Sequence, residues 1–170
     1  MSSSTTDANS RASFTAAVIT VSDSCSRGER QDLSGPAVAE VLANLHYSVV
    51  AREVVPDDLI AIQNLLIHLA RRVQFIVTTG GTGIAARDVT PDATAAVCDK
   101  LLDGVAERMR TEGTKKTPFA ALSRGVCGVL GQALILNLPG SPAGAVESLN
   151  AVAELIPHAI DLLSGKTEHK

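Results

Sequence analysis

The sequence FIVTTGGTGIAARDVTPDAT, residues 75–94, combines a short apolar run, a glycine-rich turn and two carboxylates. Residues 75–77 are apolar and mostly β-branched, which predicts a strand buried on both faces of a sheet. The glycines remove Cβ atoms where the chain must turn sharply, and they allow main-chain N–H groups to approach an anionic ligand. Pro91 and Asp92 fit the first turn of a helix, with Thr90 as its N-cap. The stretch therefore predicts a strand, a turn and a helix, as in an α/β domain.

Two interpretations of the glycine turn fit the residues. Thr79, Thr82 and Asp88 stand beside the glycines, which favours a phosphate loop with a carboxylate placed to hold a divalent metal. The segment is not a Walker A loop, because no Lys-Ser or Lys-Thr follows the glycines, and it does not match GxGxxG. It can equally be a tight connection whose glycines serve only the turn. The residues of this stretch alone leave both interpretations open.

Composition limits the classes of protein to which the chain can belong. A length of 170 residues fits one domain, and 45% hydrophobic residues with only 2% aromatic residues suit a parallel sheet covered by helices. The net charge of −3 gives no basic surface for nucleic acid. No apolar run is long enough to span a membrane, and residues 1–13 lack the pattern of a secretory signal. Three cysteines far apart in the sequence indicate reduced thiols, so we expect a cytoplasmic protein.

The rest of the chain alternates predicted strands and helices. The predicted strands are 15–21, 47–55, 75–77, 126–130 and 133–138, and the last two form a hairpin at the sheet edge. The predicted helices are 36–45 (capped by Ser34 or Gly35), 59–72, 92–101, one from Gly104, and 142–163 with an interruption at Pro157. Residues 111–118 are polar and expected to be mobile. We predict a three-layer α/β/α domain over residues 14–165, a disordered tail at 1–13 and a short tail at 166–170.

Three further segments offer ligand-binding groups at predicted strand ends. The loop SDSCSRGERQDLSG, residues 22–35, follows the first strand, and in open α/β sheets ligands bind at that edge. Its candidates by position are Ser22, Asp23, Ser24, Ser26, Arg27, Asp32 and Ser34. The turn NLPGSPAG, residues 137–144, starts a helix with Ser141 as N-cap, which offers a second anion site. Asp57 or Asp58 caps the helix after the second strand, and if Asp58 does so, Asp57 is free to reach the glycine turn.

Taken together, the motifs TTGGTG, RDVTPDAT, NLPGS, VSDSCSRG and VVPDD resemble the molybdopterin adenylyltransferases of molybdenum cofactor biosynthesis. That family includes MogA/MoaB-type proteins and the G domain of gephyrin. The resemblance extends from Phe14 to about Gly165. It implies the MogA-like fold, a homo-oligomer (trimer or hexamer), and adenylyl transfer from ATP to the terminal phosphate of molybdopterin with Mg²⁺. Ala86, Ala143 and Gly144 depart from the family's usual residues.

The resemblance also implies the roles of individual residues. Asp57 and Asp88 match the family's functional aspartates, as catalytic residues and Mg²⁺ ligands. The matched binding positions are Ser22, Asp23, Ser24, Thr79, Gly80, Gly81, Thr82, Gly83, Ser123, Pro139, Gly140 and Ser141. Arg27, Arg87 or Arg124 is expected to pair with the departing pyrophosphate. A non-catalytic molybdopterin-binding or scaffold protein is the alternative, although such a protein need not retain both aspartates. Transient contact with other proteins of cofactor biosynthesis is a further expectation.

Overall fold

The structure is a computed structural model that describes residues 13–166. A six-stranded sheet runs through its centre. The strands are β1 (Thr15–Val21), β2 (Ser48–Val55), β3 (Phe75–Thr79), β4 (Lys100–Leu101), β5 (Cys127–Leu130) and β6 (Ala133–Leu138). Their spatial order is β2-β1-β3-β6-β5-β4. The first four in this order are mutually parallel, and β5 runs antiparallel to both β6 and β4. The predicted mostly parallel α/β fold is confirmed.

Helices cover both faces of this sheet. They are α1 (Asp23–Ser26), α2 (Ser34–Asn44), α3 (Leu59–Ala70), α4 (Thr90–Val97), α5 (Asp103–Thr114), α6 (Pro142–Val152) and α7 (Ile156–Leu163), with 3-10 helices at Pro118–Leu122 and Ala153–Leu155. The helices α3 and α4 pack on one face, whereas α2, α5, α6 and α7 pack on the other. This is the three-layer arrangement that the alternating pattern predicts.

The central strands send side chains alternately into two separate cores. In β1, Ala16 and Val18 belong to the core beneath α2 and α6, whereas Ala17 and Ile19 belong to the core beneath α3. All five residues of β3 are buried. A strand buried on both faces favours apolar residues at most positions, so these segments are mainly apolar rather than alternating. Thr78 and Thr79 are the buried polar exceptions in β3.

Parallel pairing brings four strand ends to one edge of the sheet. The strands β2, β1, β3 and β6 all finish there, so the loops that begin at Pro56, Ser22, Gly80 and Pro139 are neighbours in space. These are the loops that contain the predicted site motifs. The topology thus gathers segments that lie more than 100 residues apart in the chain.

The predicted helix over 92–101 is wrong in its second half. The helix α4 ends at Val97, and Lys100–Leu101 instead form β4 beside β5. The Asp99 amide donates to the Val129 carbonyl at 2.7 Å, and the Leu102 amide donates to the Cys127 carbonyl at 2.8 Å. Because β5 would otherwise expose unpaired backbone groups, pairing with β4 overrides local helix preference. The β5–β6 hairpin therefore lies one strand in from the edge.

Two predicted helix caps are also wrong. Thr90 is the first residue of α4 rather than its cap, and its hydroxyl donates to the Gly80 carbonyl at 2.9 Å. The helix α2 begins at Ser34 with neither Ser34 nor Gly35 as its cap. The Gly35 amide is satisfied by Asp32 Oδ1 at 3.0 Å instead. Ser34 Oγ instead lies 2.8 Å from Thr79 Oγ1 on β3. Both hydroxyls therefore contact the end of β3 or the turn after it, which local sequence does not reveal.

Towards the C-terminus, most local predictions hold. The helix α5 extends to Thr114, further into the polar segment 111–118 than expected. Ser141 caps α6 through its hydroxyl, which accepts from the Gly144 amide at 3.1 Å. The final helix is interrupted, but at the 3-10 turn Ala153–Leu155 rather than at Pro157, which lies in the first turn of α7. Apart from Ser13 and Lys166, the predicted tails lie outside the described residues. Within residues 13–166 no helix is long and apolar enough to cross a membrane.

Candidate functional site

A polar cavity of about 440 Å³ opens at the edge where the four parallel strands end. Its walls come from the loops after β1, β2, β3 and β6. The predicted site residues on it are Ser22, Asp23, Ser24, Asp57, Thr79, Gly80, Gly81, Asp88, Gly140 and Ser141, joined by Arg27, Asp32, Ser34 and Arg87. The fold therefore brings together most of the residues that the sequence motifs single out.

A second, apolar cavity of about 620 Å³ lies beside the first. It contains the remaining predicted residues, Thr82, Gly83, Ser123 and Pro139, and it shares Ser141 with the polar cavity. The other walls are the C-terminal end of α5, the 3-10 helix Pro118–Leu122 and one face of α6. The predicted set is thus divided between two cavities that meet at the N-terminus of α6.

Asp57 is held by a reciprocal pair of hydrogen bonds with Asp23. The Asp23 amide donates to Asp57 Oδ2 at 3.0 Å, and the Asp57 amide donates to Asp23 Oδ1 at 2.9 Å. The neighbouring Asp58 caps α3, since its Oδ1 accepts from the Ala61 amide at 2.7 Å. Capping by Asp58 leaves Asp57 free for the cavity, one of the two possibilities that the sequence left open.

The carboxyl groups of Asp57 and Asp88 lie beside the same glycine loop, residues 80–83. A Cβ atom on Gly81 would be 3.2 Å from Asp57 Oδ1, and one on Gly83 would be 2.7 Å from Asp88 Oδ2. Asp88 Oδ2 also accepts from the Ala85 amide at 3.0 Å, which fixes the second carboxylate. Two acidic side chains from separate strand ends therefore converge on a segment of three residues.

Negative charge is concentrated around Asp57. Burial raises the pKa of its carboxyl above the ordinary value, and the neighbouring carboxylates of Asp23 and Asp88 raise it further. The hydrogen bond from the Asp23 amide and the charge of Arg87 oppose this shift without cancelling it. A cation placed here would lower the electrostatic cost of ionising Asp57. Among the described residues no cluster of three or more Asp, Glu, His or Cys has the geometry of a metal site.

Gly80 and Gly81 adopt a backbone conformation that other residues rarely take. Their φ angles are +93° and +68°. A Cβ on Gly80 would lie 2.4 Å from the Val21 carbonyl oxygen, and one on Gly81 would lie 2.3 Å from Thr90 Oγ1. The turns after β3 and β6 also touch, because a Cβ on Gly140 would lie 3.3 Å from the Gly80 Cα. The absence of side chains is thus required for the loops to approach one another.

Arg124 organises the loop between the two cavities. Its guanidinium donates to the Gly83 carbonyl at 2.9 Å and the Asp88 carbonyl at 2.6 Å, and it forms an ion pair with Asp92 at 3.1 Å. Arg124 itself lines neither the polar nor the apolar cavity. Of the three arginines expected to pair with pyrophosphate, Arg27 and Arg87 line the polar cavity.

Comparison with known proteins places this fold and these motifs in one family. A family model described as a probable molybdopterin binding domain matches residues 17–158. The chain belongs to this molybdopterin-binding family. The family expected from the sequence motifs is confirmed.

Individual family members match over nearly the whole domain. The chain is 43% identical over 157 residues to a molybdopterin adenylyltransferase of Helicobacter pylori, covering 87% of this chain and 86% of that protein. It is 35% identical over 160 residues to the gephyrin of Dictyostelium discoideum, covering 88% of this chain but 22% of that longer protein. The crystal structure of the molybdopterin biosynthesis enzyme MoaB from Thermus thermophilus superimposes with a TM-score of 0.85 at 52% identity, covering 90% of this chain and 98% of that one.

The sequence motifs did not reveal most of the apolar cavity. Ile84, Phe119 and Leu122 line it with side chains that are 72%, 75% and 53% exposed, an unusual concentration of exposed apolar groups. Glu112, Lys116 and Glu147 line it as well. The available signal was the apolar segment Phe119–Leu122, which stands alone in a polar region and contains one of only three Phe residues.

Proposed function

We propose that the protein transfers the adenylyl group of ATP to the terminal phosphate of molybdopterin. An oxygen of that phosphate attacks the α-phosphorus of ATP, the bond from the α-phosphorus to the bridging oxygen breaks, and pyrophosphate leaves. The product is adenylyl-molybdopterin, an intermediate in molybdenum cofactor biosynthesis. The observation that supports this reaction most is the junction of two unlike cavities at Ser141. Two substrates of different polarity can meet there.

The polar cavity suits the triphosphate of ATP. Asp57 and Asp88 are hard oxygen donors, and Mg²⁺ typically takes one or two carboxylates together with substrate phosphates. We therefore assign these two residues to hold Mg²⁺, which offsets phosphate charge when it is bound. The Gly80 amide already donates to the Leu138 carbonyl at 3.1 Å, so the amides of residues 81–83 would bind phosphate oxygens. The hydroxyls of Ser22 and Ser24 lie on the same cavity. In this assignment Arg27 and Arg87 neutralise the departing pyrophosphate.

The apolar cavity suits the pterin ring system. Its walls provide a large exposed aromatic side chain, Phe119, and few charged groups. Thr82, Gly83, Ser123 and Pro139 would contact the ring or its side chain. The terminal phosphate would then lie near Ser141. Pro142 has no N–H and the Gly144 amide donates to Ser141 Oγ, so the Ala143 amide and the positive end of the α6 dipole would favour the anion.

The chain needs no side-chain nucleophile for this reaction. A phosphate monoester is already an anion near neutral pH, so its oxygen can attack without a general base. The residues then contribute by holding the two phosphates in line and by stabilising the charge that develops on the leaving group. This accounts for a site built from aspartates, glycine amides, hydroxyls and arginines, with no His among its lining residues.

We also propose that the protein is a cytoplasmic homo-oligomer, a trimer or hexamer. Support comes from large apolar side chains that are exposed on the edge strand β2 and on α3. Val50 and Val54 on the edge strand β2 are 57% and 44% exposed, and Ile60 on α3 is 59% exposed. Light scattering that gives the mass of one chain would contradict the oligomer.

The test of the proposed reaction is pyrophosphate release from ATP, Mg²⁺ and molybdopterin. The wild type should release one pyrophosphate for each molybdopterin consumed. Asp88→Asn keeps an acceptor for the Ala85 amide but removes the charge, so it should fold normally and lose activity. Full activity in Asp88→Asn would overturn the metal assignment. A wild type that binds molybdopterin tightly but releases no pyrophosphate would favour the non-catalytic alternative.

A further inference from the structure

One face of α6 forms the floor of the apolar cavity. Gly144, Glu147, Ser148 and Ala151 line it, at the three- and four-residue spacing that puts side chains on one helix face. Three of the four are small and uncharged, which leaves room for a flat ligand. Glu147 is the charged member of this face. It lies six residues after Ser141, which is about 9 Å along the helix axis.

The carboxylate of Glu147 stays on the cavity wall. Its Oε1 accepts from Lys116 Nζ at 2.9 Å, and both residues line the cavity. The other acidic side chain there, Glu112, pairs at 2.7 Å with Lys115, which lies outside the lining. The ion pair of Glu147 therefore spans the cavity wall between α5 and α6, whereas that of Glu112 follows the surface of α5.

A pterin has an edge that matches such a carboxylate. The pyrimidine ring of a pterin presents two adjacent donors, the ring N3–H and the exocyclic 2-amino group. A carboxylate accepts both in parallel, in the arrangement it forms with a guanidinium. Adenine offers one donor beside an acceptor on the corresponding edge, so the same carboxylate fits it poorly.

We propose that Glu147 determines specificity by accepting the N3–H and 2-amino hydrogens of the pterin. This proposal rests on the proposed function in one respect, namely that the pterin occupies the apolar cavity. The helix α6 then holds both ends of one ligand, with the phosphate at its N-terminus and the pyrimidine edge at Glu147. Substrate choice and phosphate position are coupled through a single rigid element.

Direct binding of two small ligands tests the role of Glu147. Pterin has the 2-amino group, whereas lumazine has a carbonyl oxygen in its place. In fluorescence titrations the wild type should bind pterin more tightly than lumazine, and Glu147→Gln should weaken pterin binding about tenfold or more, as expected for loss of hydrogen bonds to a charged group. Lumazine binding should change by less than about threefold. The preference for pterin should thus disappear in the variant.

Two control variants separate this role from a general effect on the cavity. Glu112→Gln removes the other carboxylate of the lining, and Lys116→Gln breaks the Glu147 ion pair while keeping the Glu147 carboxylate. Both should keep the preference for pterin over lumazine.

The proposal is overturned if wild type binds the two ligands equally, or if Glu147→Gln keeps the preference. These titrations need no turnover. A protein that fails to release pyrophosphate can still show the Glu147-dependent preference, so failure of the reaction and failure of this proposal are distinguishable.

Discussion

Asp57 and Asp58 are adjacent in the chain but should affect different properties of the protein. Asp58 Oδ1 accepts from the Ala61 amide at the start of α3, at 2.7 Å, and does not line the polar cavity. Asp57 lines that cavity and bonds to the Asp23 amide. We predict that Asp58→Ala lowers stability and preserves activity, and that Asp57→Asn strongly reduces activity and preserves stability.

The expected cost of Asp58→Ala follows from its hydrogen bond. Loss of an N-cap side chain destabilises a protein by about 1 kcal/mol. For a domain of this size, that change lowers Tm by about 2–4 °C. Domains of this kind have roughly 5–15 kcal/mol of stability, so the variant remains folded at 25 °C and should turn over at the wild-type rate.

Asp57→Asn should have the opposite profile. Burial raises the pKa of the Asp57 carboxyl in the folded protein, so the ionised form is less favourable there than in the unfolded chain. An Asp of this kind favours folding below its unfolded pKa, and that contribution is lost as the pH rises through the folded pKa. Asparagine keeps an acceptor for the Asp23 amide and has no charge to bury. At pH 7 the variant should therefore be at least as stable as wild type, and this advantage should vanish under acidic conditions.

The assay combines thermal unfolding at pH 7 with pyrophosphate release at 25 °C for the three proteins. Loss of a charged group from a phosphoryl-transfer site should reduce kcat by about a hundredfold or more in Asp57→Asn. Loss of activity in Asp58→Ala to the same extent, or unfolding of Asp57→Asn several degrees below wild type, would contradict these two roles. The first outcome would make Asp58 part of the site. The second would make Asp57 a structural residue.

Three other predictions concern single positions. Gly81→Ala should reduce both Tm and activity, because its Cβ would meet Thr90 Oγ1 at 2.3 Å. Gly131→Ala is the control, since Gly131 has a similar φ of +60° but open space around its Cβ position. Tyr47→Phe should leave stability unchanged or raise it by about 1 kcal/mol in urea unfolding, because the buried Tyr47 hydroxyl has no hydrogen-bond partner among the described residues; a clear loss of stability would reveal an unrecognised partner. Burial raises the pKa of Cys127 to about 12, so iodoacetamide at pH 8 should modify this thiol only after unfolding. Mass spectrometry of the peptides would show this, and rapid modification of the native protein would contradict the burial of Cys127.

Local sequence was sufficient to predict the parts of the fold that depend on continuous apolar runs. The strand β1 is found at the predicted residues, and the turn into α6 is capped by Ser141 as expected. The strand depends on the hydrophobic pattern, and the turn depends on glycine positions and a capping residue. Each of these is visible within a single segment of the chain. The strand-end motifs left two roles open for Asp57, and the structure takes the one in which Asp58 caps α3 and Asp57 reaches the glycine turn.

Features that depend on contacts between distant segments could not be predicted in this way. β4 exists because β5 needs a partner for its outer edge, and nothing within residues 98–102 indicates a strand. Thr90 has the residue type of an N-cap, but its hydroxyl bonds to Gly80, ten residues earlier. Most of the apolar cavity was missed for the same reason, since its walls come from a loop, two helices and a 3-10 helix that are far apart in the chain.

Transfer of label from ATP to molybdopterin is the most direct test of the proposed activity. The protein is incubated with magnesium, molybdopterin and ATP labelled with ³²P at the α-phosphate, and the pterin is then isolated. We predict that the pterin fraction acquires the label in equal molar amount to the pyrophosphate formed, and that Asp57→Asn forms both about a hundredfold or more slowly. Pyrophosphate formed without labelled pterin, or a labelled pterin produced equally well by Asp57→Asn, would contradict the account.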